Sequence, residues 1–308
     1  MPFGRGLFLA LARSSYLNDH VTKWGFVRRA TKKFMPGEEP EDALRACADL
    51  ARSGRGTVFT KLGEAITSRD EATAVRDHYV WLFDEIRRRN LPGHVSVKPT
   101  QLGLDVDAAL CERYTMELAA KAAATGSFLW IDMEDSGYVD RTIALYRAVR
   151  TQHAATGLAL QAYLFRTPKD VADLMPLKPA IRLVKGAYAE PPHVAYPRKA
   201  DTDRAYFEIA DTLLRGAKDG SCLPIFGTHD VALVGRIVAR AKELGIAPGQ
   251  YEVHMLYGIK DSEQQRLRNE GQVVKTLVSY GSAWFKWYMR RLAERPANVG
   301  FVLRSILG

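Results

Sequence analysis

From residue 57 onward the chain alternates short β-rich runs with longer amphipathic stretches. The runs are TVFTKLG (57–63), HVSVKPT (94–100), SFLWIDM (127–133), LALQAYL (158–164), AIRLVKG (180–186), PIFGTH (224–229), YEVHML (251–256) and VVKTLVSY (273–280), eight in all. Between them apolar residues recur at three- and four-residue spacing, as from Ser68 to Arg89, opened by a serine cap, and from Asp105 to Ala124. That spacing marks helices with one buried face. Eight strands alternating with helices, with no two-residue hairpin signal between them, predict an α/β fold closed into a TIM-like (β/α)8 barrel. An open doubly wound sheet is the alternative, but no glycine-rich dinucleotide fingerprint follows any strand.

Residues 1–53 read as two or three short helices that Trp24, Phe26 and Phe34 would pack on the barrel. Residues 54–280 form the barrel in this reading, and 281–308 form C-terminal helices. No linker, repeat or low-complexity stretch divides them, so one domain over 1–308 is expected. The early apolar run Gly6–Ala12 is too short to span a bilayer and no cleavage pattern follows it, which suggests a cytoplasmic protein. Cys47, Cys111 and Cys222 are odd in number and lack metal-like spacing, so neither a disulfide framework nor a metal site is expected. The net charge of +9 brings no basic and aromatic platform with it, and nucleic acid is not an expected partner.

The chemistry of such a barrel sits at the C-terminal strand ends. Period-two alternation puts Lys98 on the face of Ser96, and Asp132 on the face of Phe128 and Trp130, one strand away and level with Lys98. Buried charges need partners, so Lys98 and Asp132 read as an opposed pair at the barrel mouth. Arg182 shares its parity with Val184 and Gly186. An inward arginine in a parallel strand calls for a fixed anion or polar ligand, and the glycine would admit a flat one. Gln161, Thr228 and His229 add neutral donors and acceptors. In the last helix Trp284, Trp287, Tyr288 and Arg291 recur at helical spacing, with Arg290 beside Arg291 and Glu294 a turn later. Paired arginines within an aromatic stripe suit a planar carboxylate held beside an apolar body.

Taken in order, VSVKPTQLG, FLWIDMED, LQAYLFRT, IRLVKGAY, GTHD and YMRRLAERPAN resemble the motifs of the monofunctional bacterial proline dehydrogenases, over nearly the whole chain. The resemblance implies that Arg290 and Arg291 bind the carboxylate of L-proline, supported by Glu294, under a C-terminal helix lying over the barrel mouth. Lys98 and Asp132 would flank the substrate ring, Asp132 arranging Lys98, with Leu256, Leu277 and Tyr280 as further substrate contacts. The implied cofactor is FAD. Arg182 would stand beside flavin N5 and Gln161 at the edge of the ring system, with Val184, Gly186 and Tyr188 along it. Lys199, Thr228 and His229 would lie around the pyrophosphate and adenosine, and Arg291 and Glu294 would also come near the cofactor. The implied catalytic set is Arg182, Lys98 and Asp132. The reaction would be hydride transfer from the proline ring to flavin N5, giving 1-pyrroline-5-carboxylate, the first step of proline catabolism to glutamate. The family's electrons pass to a membrane quinone, which implies an enzyme at most peripheral to the inner membrane, and a separate pyrroline-5-carboxylate dehydrogenase chain for the next step.

The last strand departs from the family pattern Y-x-P-Y-G: Leu277 stands at the first tyrosine and Ser279 at the proline. That leaves a related cyclic imino acid, hydroxyproline or pipecolate, open as substrate. From the residues alone, a Schiff-base lyase using Lys98 or Lys185 is a rival class.

Overall fold

The computed structural model describes residues 31, 33–63 and 66–285. Helix α1 (Pro40–Arg52) precedes the sheet; Pro40 fixes the first helical φ, and Asp42 accepts from the Glu39 amide at 3.3 Å. The alternation then runs β1 (Gly56–Lys61), α2 (Arg69–Arg88), β2 (Gly93–Val97), α3 (Ala108–Ala124), β3 (Leu129–Ile131), α4 (Val139–Gln152), β4 (Thr156–Gln161) and α5 (Thr167–Leu174). It continues as β5 (Ala180–Val184), α6 (Lys199–Lys218), β6 (Leu223–Gly227), α7 (Val231–Glu243), β7 (Glu252–Leu256), α8 (Asp261–Asn269) and β8 (Val274–Tyr280). Each strand pairs in parallel with the next, and β8 closes on β1, so the sheet is a closed eight-stranded barrel.

The capping residues explain two helix starts. Ser68 accepts from the Glu71 amide at 3.2 Å and opens α2 where the sequence places it. The third helix begins at Ala108, three residues later than expected, because Asp107 is the residue that caps it, accepting from Leu110 at 3.0 Å. Before it the chain makes a 3-10 turn over Pro99–Leu102 and reverses at Gly103 with φ 94°.

The strands divide two cores by parity. Phe59, Val95, Val97, Leu129 and Val278 face the surrounding helices, in one apolar cluster with α1, α2 and α3. A second such cluster lies under α5, α6 and α7. Inside the barrel is a smaller cluster of Val58, Trp130, Ala180 and Ile225, with Phe128 and Leu277 against it. Trp130 fills that interior across from Gly157, where a Cβ would stand 2.4 Å from the indole ring. All three cysteines are free and buried, and burial pushes the Cys111 and Cys222 thiols up to about 12.

No helix among the described residues is long and apolar enough to cross a membrane. Trp284 is buried and donates from Nε1 to Glu38 at 3.1 Å, on the segment before α1. Trp24, Phe26, Trp287, Tyr288 and the proposed helix over the mouth lie outside the described residues.

Candidate active site

The barrel interior rises from the Trp130 ring to a polar layer. The Arg182 guanidinium lies over Trp130, 5.0 Å from the ring centroid, an arrangement in which the π face favours the cation. Its Nη2 donates to Ser96 Oγ at 2.9 Å and to the Asp132 carboxylate. Only 3% of Arg182 is exposed. Burial pulls its pKa down and the Asp132 charge pushes it back up; a guanidinium starts so high that it stays charged. The other terminal nitrogen, Nη1, is buried with no partner among the described residues. Such a donor costs about 1–3 kcal/mol when left unmade, so it marks a place where a ligand atom is expected.

Above this layer a cavity of about 600 Å³ opens at the C-terminal strand ends. Lys98 and Asp132 line it from the ends of β2 and β3, Gln161 from the end of β4, and Arg182 and Val184 from β5. Gln161 Nε2 is tied to the Glu134 carbonyl at 3.1 Å, which leaves its Oε1 buried and without a partner among the described residues. Leu256 and Leu277, partners in the β7–β8 register, form an apolar wall. Gly186 and Tyr188 continue the lining beyond β5. Gly186 is demanded by its own backbone, at φ 117°, and by Tyr163, whose ring a Cβ would approach to 2.3 Å. Close ligand approach is not needed to explain that glycine.

The far end of the cavity is charged. Thr228, His229 and Lys199 lie there after β6 and at the start of α6. The His229 ring is fixed because Nε2 accepts from the Leu256 amide at 2.8 Å. Lys185 and Lys199 are both held by Asp203 and Asp230, with Lys185 Nζ 2.8 Å from Asp230. Burial pushes the Asp230 carboxyl up, but the bonds from Lys185 and the Leu233 amide outweigh it and hold it at about 2. The Lys185 amine is thus committed to two carboxylates, which removes the geometric basis for a lyase nucleophile there.

Two expectations are corrected. No Lys98–Asp132 ion pair forms among the described residues: Asp132 follows β3 directly, and its carboxylate is taken by Arg182 from β5 across the barrel. Tyr280 is not a cavity residue. It has the parity of Val274 and Val278, so its side chain passes outward between β8 and α2, where Oη meets His78 Nε2 at 2.6 Å. Ser279 is the residue of that strand end that lines the cavity. Arg290, Arg291 and Glu294 lie outside the described residues. Further polar residues of this region are Thr60, in the cavity lining, and the interior set Glu252, His254 and Lys275. The alternation that located Asp132 also places Glu252 and His254 on the inner face of β7, and would have found them.

Orphaned Arg182 Nη1 and Gln161 Oε1, a donor and an acceptor in one cavity with an apolar wall and a lysine-bearing far end, fit a planar heterocycle with a phosphate-bearing tail.

A family model described as proline dehydrogenase matches residues 43–304. Proline dehydrogenase 2 of Bacillus subtilis subsp. natto is 34% identical over 307 residues, 99% of each chain. Proline dehydrogenase of Deinococcus radiodurans is 34% identical over 281 residues, 90% of this chain and 89% of that one. Among solved structures, proline utilization A (PutA) from Bdellovibrio bacteriovorus, inactivated by N-propargylglycine, superposes with a TM-score of 0.80 at 22% identity. That match covers 94% of this chain and 36% of the PutA chain, and it shows a shared barrel. With a family match over most of its length and relatives aligned from end to end, the chain belongs to the proline dehydrogenase family and is an oxidoreductase that oxidises proline in the first step of proline catabolism.

Proposed function

We propose that the cavity binds FAD and L-proline side by side and yields 1-pyrroline-5-carboxylate. The observation that carries this reading is the pair of orphaned buried groups, Arg182 Nη1 and Gln161 Oε1, lining one cavity. FAD, when bound, would supply the two-electron acceptor for oxidation of the proline ring. The remaining work belongs to the chain. Arg182 and Gln161 hold the ring system, along Val184, Gly186 and Tyr188. Lys199, Thr228 and His229 face the pyrophosphate and adenosine. A fixed cation at Arg182 would stabilise negative charge gained by the bound ring system without reorganising.

Leu256 and Leu277 bound the proline ring, with Lys98 at the mouth. Arg290 and Arg291 clamp the carboxylate and Glu294 steadies them, which fixes the ring carbon for transfer. Electron delivery to a quinone, a peripheral and cytoplasm-facing location, and a separate pyrroline-5-carboxylate dehydrogenase chain are parts of this proposal that rest on the resemblance.

The test is to denature the purified protein, identify the released chromophore, and trap the product formed from L-proline as its cyclic imine. FAD together with 1-pyrroline-5-carboxylate is the expected result. A different flavin, or an apoprotein that takes up none, overturns it.

A further inference from the structure

The inner faces of β7 and β8 carry a second polar array for which the reaction as described has no use. Lys275 Nζ meets Glu252 Oε1 at 2.5 Å, and His254 Nε2 meets the other oxygen, Oε2, at 2.8 Å. His254 and Lys275 are register partners across the two strands. Burial pushes Glu252 up, yet the His254 bond and the Lys275 charge hold it ionised, well below the usual carboxylate range. An ionised Glu252 can only accept, so the hydrogen sits on His254 Nε2 and Nδ1 is left as a bare acceptor. Burial, reinforced by the charges of Lys275 and Arg182, brings His254 down to about 4 in spite of Glu252. The ring is therefore a fixed neutral acceptor and not a proton store.

That acceptor faces a matching need. His254 is 3% exposed, its Nδ1 is buried with no partner among the described residues, and the residue lines the same cavity as Arg182. Both side chains pack on Trp130, His254 edge-on at 5.7 Å between ring centroids and Arg182 over the face. Arg182 Nη1 carries hydrogens that neither Asp132 nor Ser96 receives, since both are bonded to Nη2. One donor and one acceptor, each without a partner among the described residues, lie against the same indole in the same cavity; two such ends suit a single bridging water.

We propose that His254 is a positioning residue for Arg182: the Glu252–Lys275 pair fixes its tautomer, and Nδ1 anchors the free guanidinium nitrogen through one water. Nη1 has two hydrogens, so the anchor leaves one for the ligand. His254 thereby fixes where the cation stands against the bound cofactor. This inference rests on Arg182 being the cationic group beside the flavin.

The test uses the FAD-loaded protein and reads the flavin midpoint potential together with kcat and KM for L-proline. A loosened Arg182 stabilises the reduced flavin less. His254→Leu is expected to shift the oxidised-to-reduced equilibrium about tenfold toward the oxidised form, a midpoint lower by about 30 mV for a two-electron couple. With it, kcat falls and KM stays. His254→Asn, which sets an amide oxygen near the place of Nδ1, is expected to restore most of the potential. In an Arg182→Met background, His254→Leu is expected to add no further shift, since the two act as one unit. An unchanged potential in His254→Leu overturns the inference, and so does a shift in His254→Asn as large as that of the leucine variant, which would assign the effect to packing. Either result leaves the FAD site standing; failure of the native chain to bind FAD overturns both.

Discussion

Asp132 and Arg182, from β3 and β5, form an ion pair across the barrel interior, with side chains 18% and 4% exposed. The carboxylate that strand parity sets against Lys98 serves instead to hold Arg182, the one fully buried cation of the cavity among the described residues. Removing it leaves a guanidinium desolvated and half-bonded. Asp132→Ala is therefore expected to cost about 3 kcal/mol of folding stability, within the range for breaking a buried pair. It should also lower kcat/KM while FAD stays bound. Chemical denaturation and steady-state kinetics check both; complete loss of FAD would make Asp132 a cofactor ligand.

Leu277, which the resemblance sets at the first tyrosine of the pattern Y-x-P-Y-G, lines the cavity between Val58 and Leu256 in the sheet register. A flexible leucine leaves more room than a packed ring, and apolar pockets reject an added small group poorly. Leu277→Tyr is expected to raise the preference for proline over 4-hydroxyproline and pipecolate by about tenfold, a typical value for one excluded group. Ratios of kcat/KM in the two proteins decide it. An unchanged ratio would mean that position 277 does not bound the ring.

Tyr280 gives the opposite expectation. Its hydroxyl is bonded to His78 behind the sheet, so Tyr280→Phe should lose about 1 kcal/mol of stability, the usual net worth of one hydrogen bond. KM for proline should not move. A raised KM with unchanged stability would return Tyr280 to the substrate site.

The charged end of the cavity sets an acid limit. Asp230 is held at about 2 in the folded chain, against an ordinary 3.8. Between those values the unfolded state binds more protons, so the contribution of Asp230 to stability is present above the upper value and is lost as the pH falls toward the lower one. Urea unfolding across that window should show the native protein weakening more steeply than Asp230→Asn. Equal slopes would contradict the assignment.

The barrel was legible in the sequence because each strand is a short β-rich run and each helix has its own apolar period and caps, so local signals agree with the global fold. Inward positions such as Ser96, Trp130 and Arg182 followed from period two alone. What parity could not give was pairing across the barrel: Asp132 and Arg182 sit two strands apart, and their meeting depends on the reach of an arginine over Trp130. Tyr280 differs: the motif Y-x-P-Y-G sets it near the substrate, whereas its parity with Val278 points it outward. His254 is legible from its alternation with Glu252 on β7.

In the proposed reading Arg182, held by Asp132 and Ser96, stands against a flavin that oxidises proline in this cavity. The visible spectrum of the purified protein under anaerobic conditions, before and after L-proline is added, tests this directly. A yellow protein whose flavin band is bleached by L-proline is expected, with an Arg182→Met variant that retains flavin but is bleached far more slowly. A protein that binds no flavin, or whose flavin band is untouched by L-proline, would contradict it.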